Sequence, residues 1–422
     1  LVDIILTNNG YKVYNLGIKQ PIENILHAAI EHHANAIGLS GLLVKSTVVM
    51  KEDLQTLKAR GVTLPVICGG AALNRRYVEQ DLRAAYGGPV YYGEDAFTGL
   101  HIMDDLCTKS AGMPLLVPLP VPDSYVSGKG KGRGKGTFVS NGFHSKVSRS
   151  VAIPKPPFLG SRVVASIDMR EVFPFLNERT LISTQWQFRK NNVPVKEYER
   201  QMREVAYPAL NRLKETCLKE GILRPAVVYG FFPCVSEGND LVILHEDERS
   251  ERLRFTFPRQ ESGDHLCLSD YFAEGKGQVT DYVSFMGVTM GAEVSRRAKE
   301  YFEKDRYTDY LYLHGLGVES AEALAEYWHK KIRAEWGFGH EDAANIQKLF
   351  KLHYRGCRYS FGYPACPELE DQVKLFELLN LERIGLALSE QFQLEPEQST
   401  TALIAHHPEA KYFNVGSCVI SD

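Results

Sequence analysis

The sequence contains no C-x-x-C pair, no apolar run near the length needed to cross a bilayer, and no G-x-G-x-x-G loop after a strand pattern. The first absence argues against a zinc ribbon or a thioredoxin-like redox motif, both of which place paired thiols about one turn apart. The eight cysteines, at 68, 107, 217, 234, 267, 357, 366 and 418, are scattered without a disulfide framework, as expected of reduced thiols in a cytoplasmic protein. The second absence argues against a membrane partner, and the opening residues do not read as a signal peptide. The third argues against a dinucleotide-binding front domain. A net charge of −3 argues against nucleic acid as a partner, because that needs a basic face. There is no internal repeat, and the chain opens on Leu1 instead of Met, so it is expected to be part of something longer.

What is present suffices for two cores: 422 residues, 44% of them apolar. Residues 1–107 alternate short apolar runs with helical stripes. Strands are expected at Tyr11–Leu16, Ala36–Ser40, Leu64–Cys68 and Val90–Tyr92. Helices are expected at Pro21–His32, Lys51–Arg60, Asn74–Tyr86 (capped by Asn74) and Phe97–Cys107. This alternation predicts an α/β, Rossmann-like, doubly wound parallel sheet, with ligands at the carboxyl ends of its strands. Ser40 and Gly69-Gly70 fall at such ends.

Residues 108–160 cannot build a core. They hold a Pro-rich stretch, the alternating Gly and Lys/Arg run from Gly128 to Gly136, and Pro154, Pro156 and Pro157. They read as a flexible linker. From 161 to 422 the alternation is lost. Helices are expected at Val195–Glu220, Thr280–Arg306 and Ala321–Trp336, and strands at Ala226–Phe232, Leu241–Leu244 and Leu253–Phe257. That mixture predicts an α+β domain with an antiparallel sheet.

The segment Arg358-Tyr359-Ser360-Phe361-Gly362-Tyr363-Pro364-Ala365-Cys366-Pro367 sets a planar cationic fork just before a stiff turn of Gly and Pro. Such a fork grips a carboxylate through two parallel hydrogen bonds. The pattern R-x-x-x-G-Y-P-A-C-P resembles the S-adenosylmethionine-binding signature in the activation domain of cobalamin-dependent methionine synthases. The first half resembles the cobalamin domain of the same family. Ser40-Gly41-Leu42 matches its S-x-L element and Gly69-Gly70 its G-G element, with residues 43–68 between them at the family's spacing. The preceding D-x-H-x-x-G element, with the axial His, is not in this chain, which is expected to start just past it.

The resemblance implies two ligand sets. For cobalamin it implies Ser40, Leu42, Val44, Ser46, Gly69, Gly70, Ala71 and Ala96, with Ser40 offering its hydroxyl to the displaced nucleotide tail. Ser46 would be the last member of a His–Asp–Ser relay. For S-adenosylmethionine it implies Asp168, Glu322, Arg358, Ser360, Tyr363, Tyr412 and Phe413. Arg358 would hold the carboxylate, Asp168 the ammonium or the ribose hydroxyls, and Tyr412 an aromatic face against the cation. Phe413 stands where the family usually has a second Tyr. No side-chain catalyst is implied, since cobalt is the nucleophile. His329, His406 and His407 do not have the spacing of a zinc site, and the family's zinc belongs to a homocysteine domain absent here.

The family methylates homocysteine from 5-methyltetrahydrofolate through methylcobalamin. Its activation domain remethylates cob(II)alamin with S-adenosylmethionine and one electron from a flavodoxin-like donor or flavoprotein reductase. This chain, a monomer, is expected to perform that reactivation beside upstream folate, homocysteine and cap domains. A corrinoid carrier or cobalamin-sensing module without enzymatic activity is the alternative. It would share the first half but bind no S-adenosylmethionine.

Overall fold

Short apolar runs ending in small residues build the first sheet. The computed structural model describes residues 2–17, 20–41, 44–70, 72–94, 96–110, 145–188, 194–260, 263–275, 280–304, 306–390, 392–413 and 415, which fall into two compact units. In the first, Ile37–Ser40 (β1), Val66–Gly69 (β2) and Val90–Gly93 (β3) pair in parallel in the order β1-β2-β3. α2 (Ile22–Glu31), α3 (Val44–Ala59) and helical residues 75–86 bury Ala29, Leu54, Leu57, Val78 and Leu82 with the strands in one core. α1 (Val2–Asn8) packs against α4 (Ala96–Ser110). Asn74 caps its helix as expected, its Oδ1 accepting from the Tyr77 amide at 2.9 Å.

One expected strand fails here. Residues 11–16 form no regular element. Their alternation serves anchoring instead: the Tyr11 hydroxyl donates to Asp104, and the Tyr14 ring stacks on His32 with centroids 3.7 Å apart.

The second unit is built on an antiparallel sheet ordered β7-β6-β5-β8-β10-β9. Its strands are β5 (Ala226–Glu237), β6 (Asp240–Leu244), β7 (Glu251–Thr256), β8 (Asp281–Thr289), β9 (Cys357–Ser360) and β10 (Ser399–Ala405). β4 (Gly160–Val164) pairs with the first half of β5, on the side where β6 takes the second half. Period-2 alternation divides the apolar residues between two cores. Tyr229, Phe231, Met286, Val288 and Ile404 meet the long helix α7 (Tyr307–Glu335) through Leu316, Leu324 and Ile332. Val228, Phe232, Phe285, Leu403, Tyr359 and Phe361 meet α8 (Gln372–Leu379) through Leu375 and Leu379. The pattern at 195–220 is continuously helical and ends in α5 (Tyr207–Glu220).

The helix expected over Thr280–Arg306 is two elements: the central strand β8, then α6 (Ala292–Glu303). Every residue of β8 is buried, because β5 and β10 flank it and both sheet faces are covered. No polar alternation therefore betrays it as a strand.

Residues 145–154, inside the expected linker, are bonded to the second unit. Arg149 donates to Asp270, Ser236 Oγ and the Phe272 carbonyl at 2.9–3.0 Å. The Ser148, Ala152 and Pro154 carbonyls are held by His407, Arg355 and Trp336. Asp270, almost fully buried, also binds Arg259 through both oxygens, at 2.6 and 2.9 Å.

Candidate functional site

Two places collect the chemistry expected from the sequence, one in each unit. In the first, strand register sets Ser40 opposite Gly69 and Gly69 opposite Gly93, all at the carboxyl ends of three parallel strands. Ser40 is exposed there. The glycines serve backbone packing. A Cβ on Gly69 would lie 2.7 Å from the Gly93 carbonyl oxygen, and one on Gly70 (φ +107°) would lie 2.3 Å from that of Gly41. The Gly41 amide donates to the Gly69 carbonyl at 3.0 Å, and Ser46 packs its Cβ where a side chain on Gly41 would stand. The strand ends and Ser46 of α3 thus close on one another, beside the exposed Ser40. Leu42 and Ala71 lie outside the described residues, as do the side chains of Val44 and Ala96.

In the second unit, β9 pairs with β10 so that Arg358 stands opposite Ile404, on the face covered by α7. Its Nη1 donates to Glu322 Oε2 at 3.2 Å, and its Nη2 lies 3.8 Å from Glu326 Oε2. Burial works against the Arg358 charge, but these two carboxylates outweigh it and hold the guanidinium's pKa above the ordinary value. Glu322 is 36% exposed and Glu326 only 14%. Burial pushes the Glu326 pKa up, and its Oε1 has no partner among the described residues.

One turn before Glu322, the buried Glu319 accepts from Gln185 Nε2 at 3.2 Å. Burial pushes its pKa up to about 7, with the nearby Glu322 adding to the rise. One turn beyond Glu326, His329 is fully buried, with neither ring nitrogen paired among the described residues. Burial, with Arg333 and Arg358 adding their charges, drives its pKa well down, so the ring is neutral. Arg333 closes the row, its Nε and Nη2 donating to the two Asp342 oxygens at 2.8 Å and its guanidinium lying 3.9 Å over the Tyr354 ring.

The turn after β9 is closed by its own backbone. Gly362, at φ +85°, donates to the Cys366 carbonyl at 2.9 Å, and the Cys366 amide returns a bond to Tyr363 at 2.9 Å. Only glycine takes that conformation cheaply. The Ser360 carbonyl accepts from the Tyr363 amide and the Cys366 thiol, so Ser360 shapes this turn through its backbone. Tyr363 is half-buried. Burial, and then the Glu322 charge, hold its phenol protonated.

Arg358, Glu322 and Tyr363 are therefore brought together. Asp168 caps the short helix Met169–Val172, accepting from the Arg170 amide at 2.9 Å and pairing with the Arg170 guanidinium. Tyr412 is 39% exposed, whereas Phe413 is buried against the rings of Tyr271 and Tyr359. Among the other histidines, His406 binds Asp281 at 2.7 Å and His407 the Ser148 carbonyl.

Sequence reasoning missed Glu319, Glu326 and Arg333, and weighed His329 only as a zinc ligand. With Glu322 they recur at steps of three and four on a helix otherwise rich in Ala and Leu, which makes a polar stripe on a face that must be buried. That spacing was the available signal.

The chain is similar to known proteins over both units. Residues 168–421 match the family model described as vitamin B12 dependent methionine synthase, activation domain, and residues 1–101 match the B12 binding domain. The chain is 44% identical to the methionine synthases of Mycobacterium leprae (strain TN) and Mycobacterium tuberculosis (strain ATCC 25618 / H37Rv), over 98% of its own length. It spans 37% of the length of those relatives. Among solved structures, the MetH reactivation domain bound to AdoHcy superposes with a TM-score of 0.57 at 25% identity, covering 64% of this chain and 85% of that one.

Proposed function

Because the chain belongs to the vitamin B12-dependent methionine synthases, we propose that it binds cobalamin through residues 1–107 and S-adenosylmethionine through residues 161–422, with the part of 108–160 that precedes the anchored residues 145–154 as the tether between them. Its reaction is the reductive remethylation of an oxidised cobalamin, with the electron coming from a flavodoxin-like donor. The full transfer from 5-methyltetrahydrofolate to homocysteine needs the further domains of a longer parent chain.

Bound cobalamin supplies cobalt as the methyl acceptor. Ser40 gives it a hydroxyl at the strand ends, and Gly69-Gly70 keep the adjoining turn thin. In the second unit Arg358 takes the ligand's carboxylate. It already grips a carboxylate, that of Glu322, which is the more exposed of its two partners and the one a ligand can displace. Glu322 is then released toward the ligand's ammonium. Asp168 meets the ammonium or the ribose hydroxyls, and Ser360 and Tyr363 supply the turn's backbone. Tyr412 offers its ring to the cation, with Phe413 packed in the core beside it. No side chain has to donate or remove a proton during methyl transfer. The protein's share is to hold the sulfonium methyl in line with its acceptor.

The observation that carries this reading is a mostly buried Arg on an edge strand, beside a rigid Gly-Tyr-Pro turn and opposite a displaceable carboxylate. The test is calorimetric titration of the chain and of Arg358→Ala with S-adenosylmethionine. Charge-assisted hydrogen bonds contribute about 1.5–3 kcal/mol, so the variant should bind at least about tenfold more weakly. No saturable binding by the unaltered chain up to millimolar ligand would overturn the assignment and favour a cobalamin carrier.

A further inference from the structure

The inner face of α7 carries more acid than the cations beside it can balance. Three carboxylates follow one another on that face: Glu319, Glu322 and Glu326. Arg358 engages the latter two. Arg333, the next cation on the row, is bound to Asp342, and His329 is buried and neutral. Glu319 is left with an uncharged partner, Gln185. Among the described residues, the groups that face it are Gln185 from residues 181–185, Glu322 from its own helix and the protonated phenol of Tyr363 from the turn after β9. None is a cation. A buried acid so placed keeps its proton near neutral pH and gives it up when positive charge arrives.

S-adenosylmethionine brings such a charge. Its carboxylate and ammonium cancel, and its sulfonium remains. The thioether left after methyl loss has no net charge. We propose that Glu319 sets the site's preference for the sulfonium over the thioether, by releasing its proton to solution as the cation enters and regaining it once the charge is gone. The inference rests on the ligand assignment above. It makes Glu319 a specificity determinant that also favours departure of the spent ligand.

The experiment is calorimetric titration of the whole chain with S-adenosylmethionine and with S-adenosylhomocysteine, in two buffers of different ionisation enthalpy, from pH 6 to 8. A carboxyl that titrates at about 7 in the free protein should release about half a proton per sulfonium bound at pH 7, and none for the thioether. The sulfonium-to-thioether affinity ratio should rise with pH, approaching about tenfold for each unit by which the cation lowers that carboxyl's pKa. Glu319→Gln should still bind both ligands, release less proton with the sulfonium, and flatten the ratio. Protons from the ligand's own ammonium are common to both proteins and cancel in that difference. Equal proton counts for the two ligands in the unaltered protein, or a ratio that does not change with pH, would overturn the proposal while leaving the binding site intact. Failure of both ligands to bind would instead refute the site assignment beneath it.

Discussion

Replacing Gly70 with alanine should weaken the first unit and leave the second untouched. Two costs add. At φ +107° a side chain holds the backbone in a sparsely populated region, at about 1–3 kcal/mol. The new Cβ would also stand 2.3 Å from the Gly41 carbonyl oxygen and 2.7 Å from its amide nitrogen. These are backbone atoms tied to Gly69 and Ala72, so they cannot swing aside as a side chain would. Overpacking of that kind adds about 1–3 kcal/mol. A loss of about 3 kcal/mol is a large share of the roughly 5–15 kcal/mol that holds a domain together. With a urea dependence of about 1–3 kcal/mol per molar, the midpoint falls by about 1–3 M. The sequence provides a clean assay. All three tryptophans, Trp186, Trp328 and Trp336, lie in the second unit, so their fluorescence reports that unit alone while far-UV circular dichroism reports both. Gly70→Ala should shift an early dichroism transition and leave the fluorescence transition in place. An unchanged dichroism midpoint would mean that the two backbones can part at no cost, and would refute the close-packing argument.

Other perturbations probe the second unit. Asp270→Asn strips the counter-ion from the buried Arg259 and from Arg149, and should destabilise that unit by about 3–5 kcal/mol, read as an earlier fluorescence transition in urea. Glu319→Gln should change how stability depends on pH. The native carboxyl titrates at about 7 against an ordinary 4.5, so between those values the folded state holds a proton that the unfolded chain has released. Stability therefore falls as pH rises through that window, by up to roughly 3 kcal/mol, and the variant should lack this slope; identical pH profiles would contradict the burial of an unpaired acid. Glu326→Gln removes the less exposed of the two carboxylates at Arg358, and should leave the guanidinium more dependent on Glu322. Ligand displacement of Glu322 then becomes harder, and titration should show weaker S-adenosylmethionine binding with a fold still intact by circular dichroism.

Much of the first unit was legible because its strands are short apolar runs closed by Ser40, Gly69 and Gly93, and its helices carry one apolar stripe each. Residues 11–16 misled because alternation records where side chains point, whether or not another strand lies alongside to accept hydrogen bonds. β8 misled for the opposite reason: burial on both faces erased the alternation that marks a strand. At the site, Arg358 and its turn announced themselves through rare local chemistry. Glu319 and Glu326 did not, since a Glu on a helix is ordinary until another element buries it. The direction in which Phe413 points was equally closed to the sequence, because it depends on Tyr271 and Tyr359, far along the chain.

The anchoring of residues 145–154 has a mechanical consequence. β4 is a five-residue outer strand, and tension applied at its amino end would open its ladder one bond at a time. In this protein a tug arriving from the amino-terminal side meets the Ser148 carbonyl, held by His407, and then the Arg149 guanidinium, which is fastened to Asp270, Ser236 and the Phe272 carbonyl. Those bonds would have to yield together, in shear, before strain reached the sheet. Tension would then be borne at a strong point, while β4 stays unloaded.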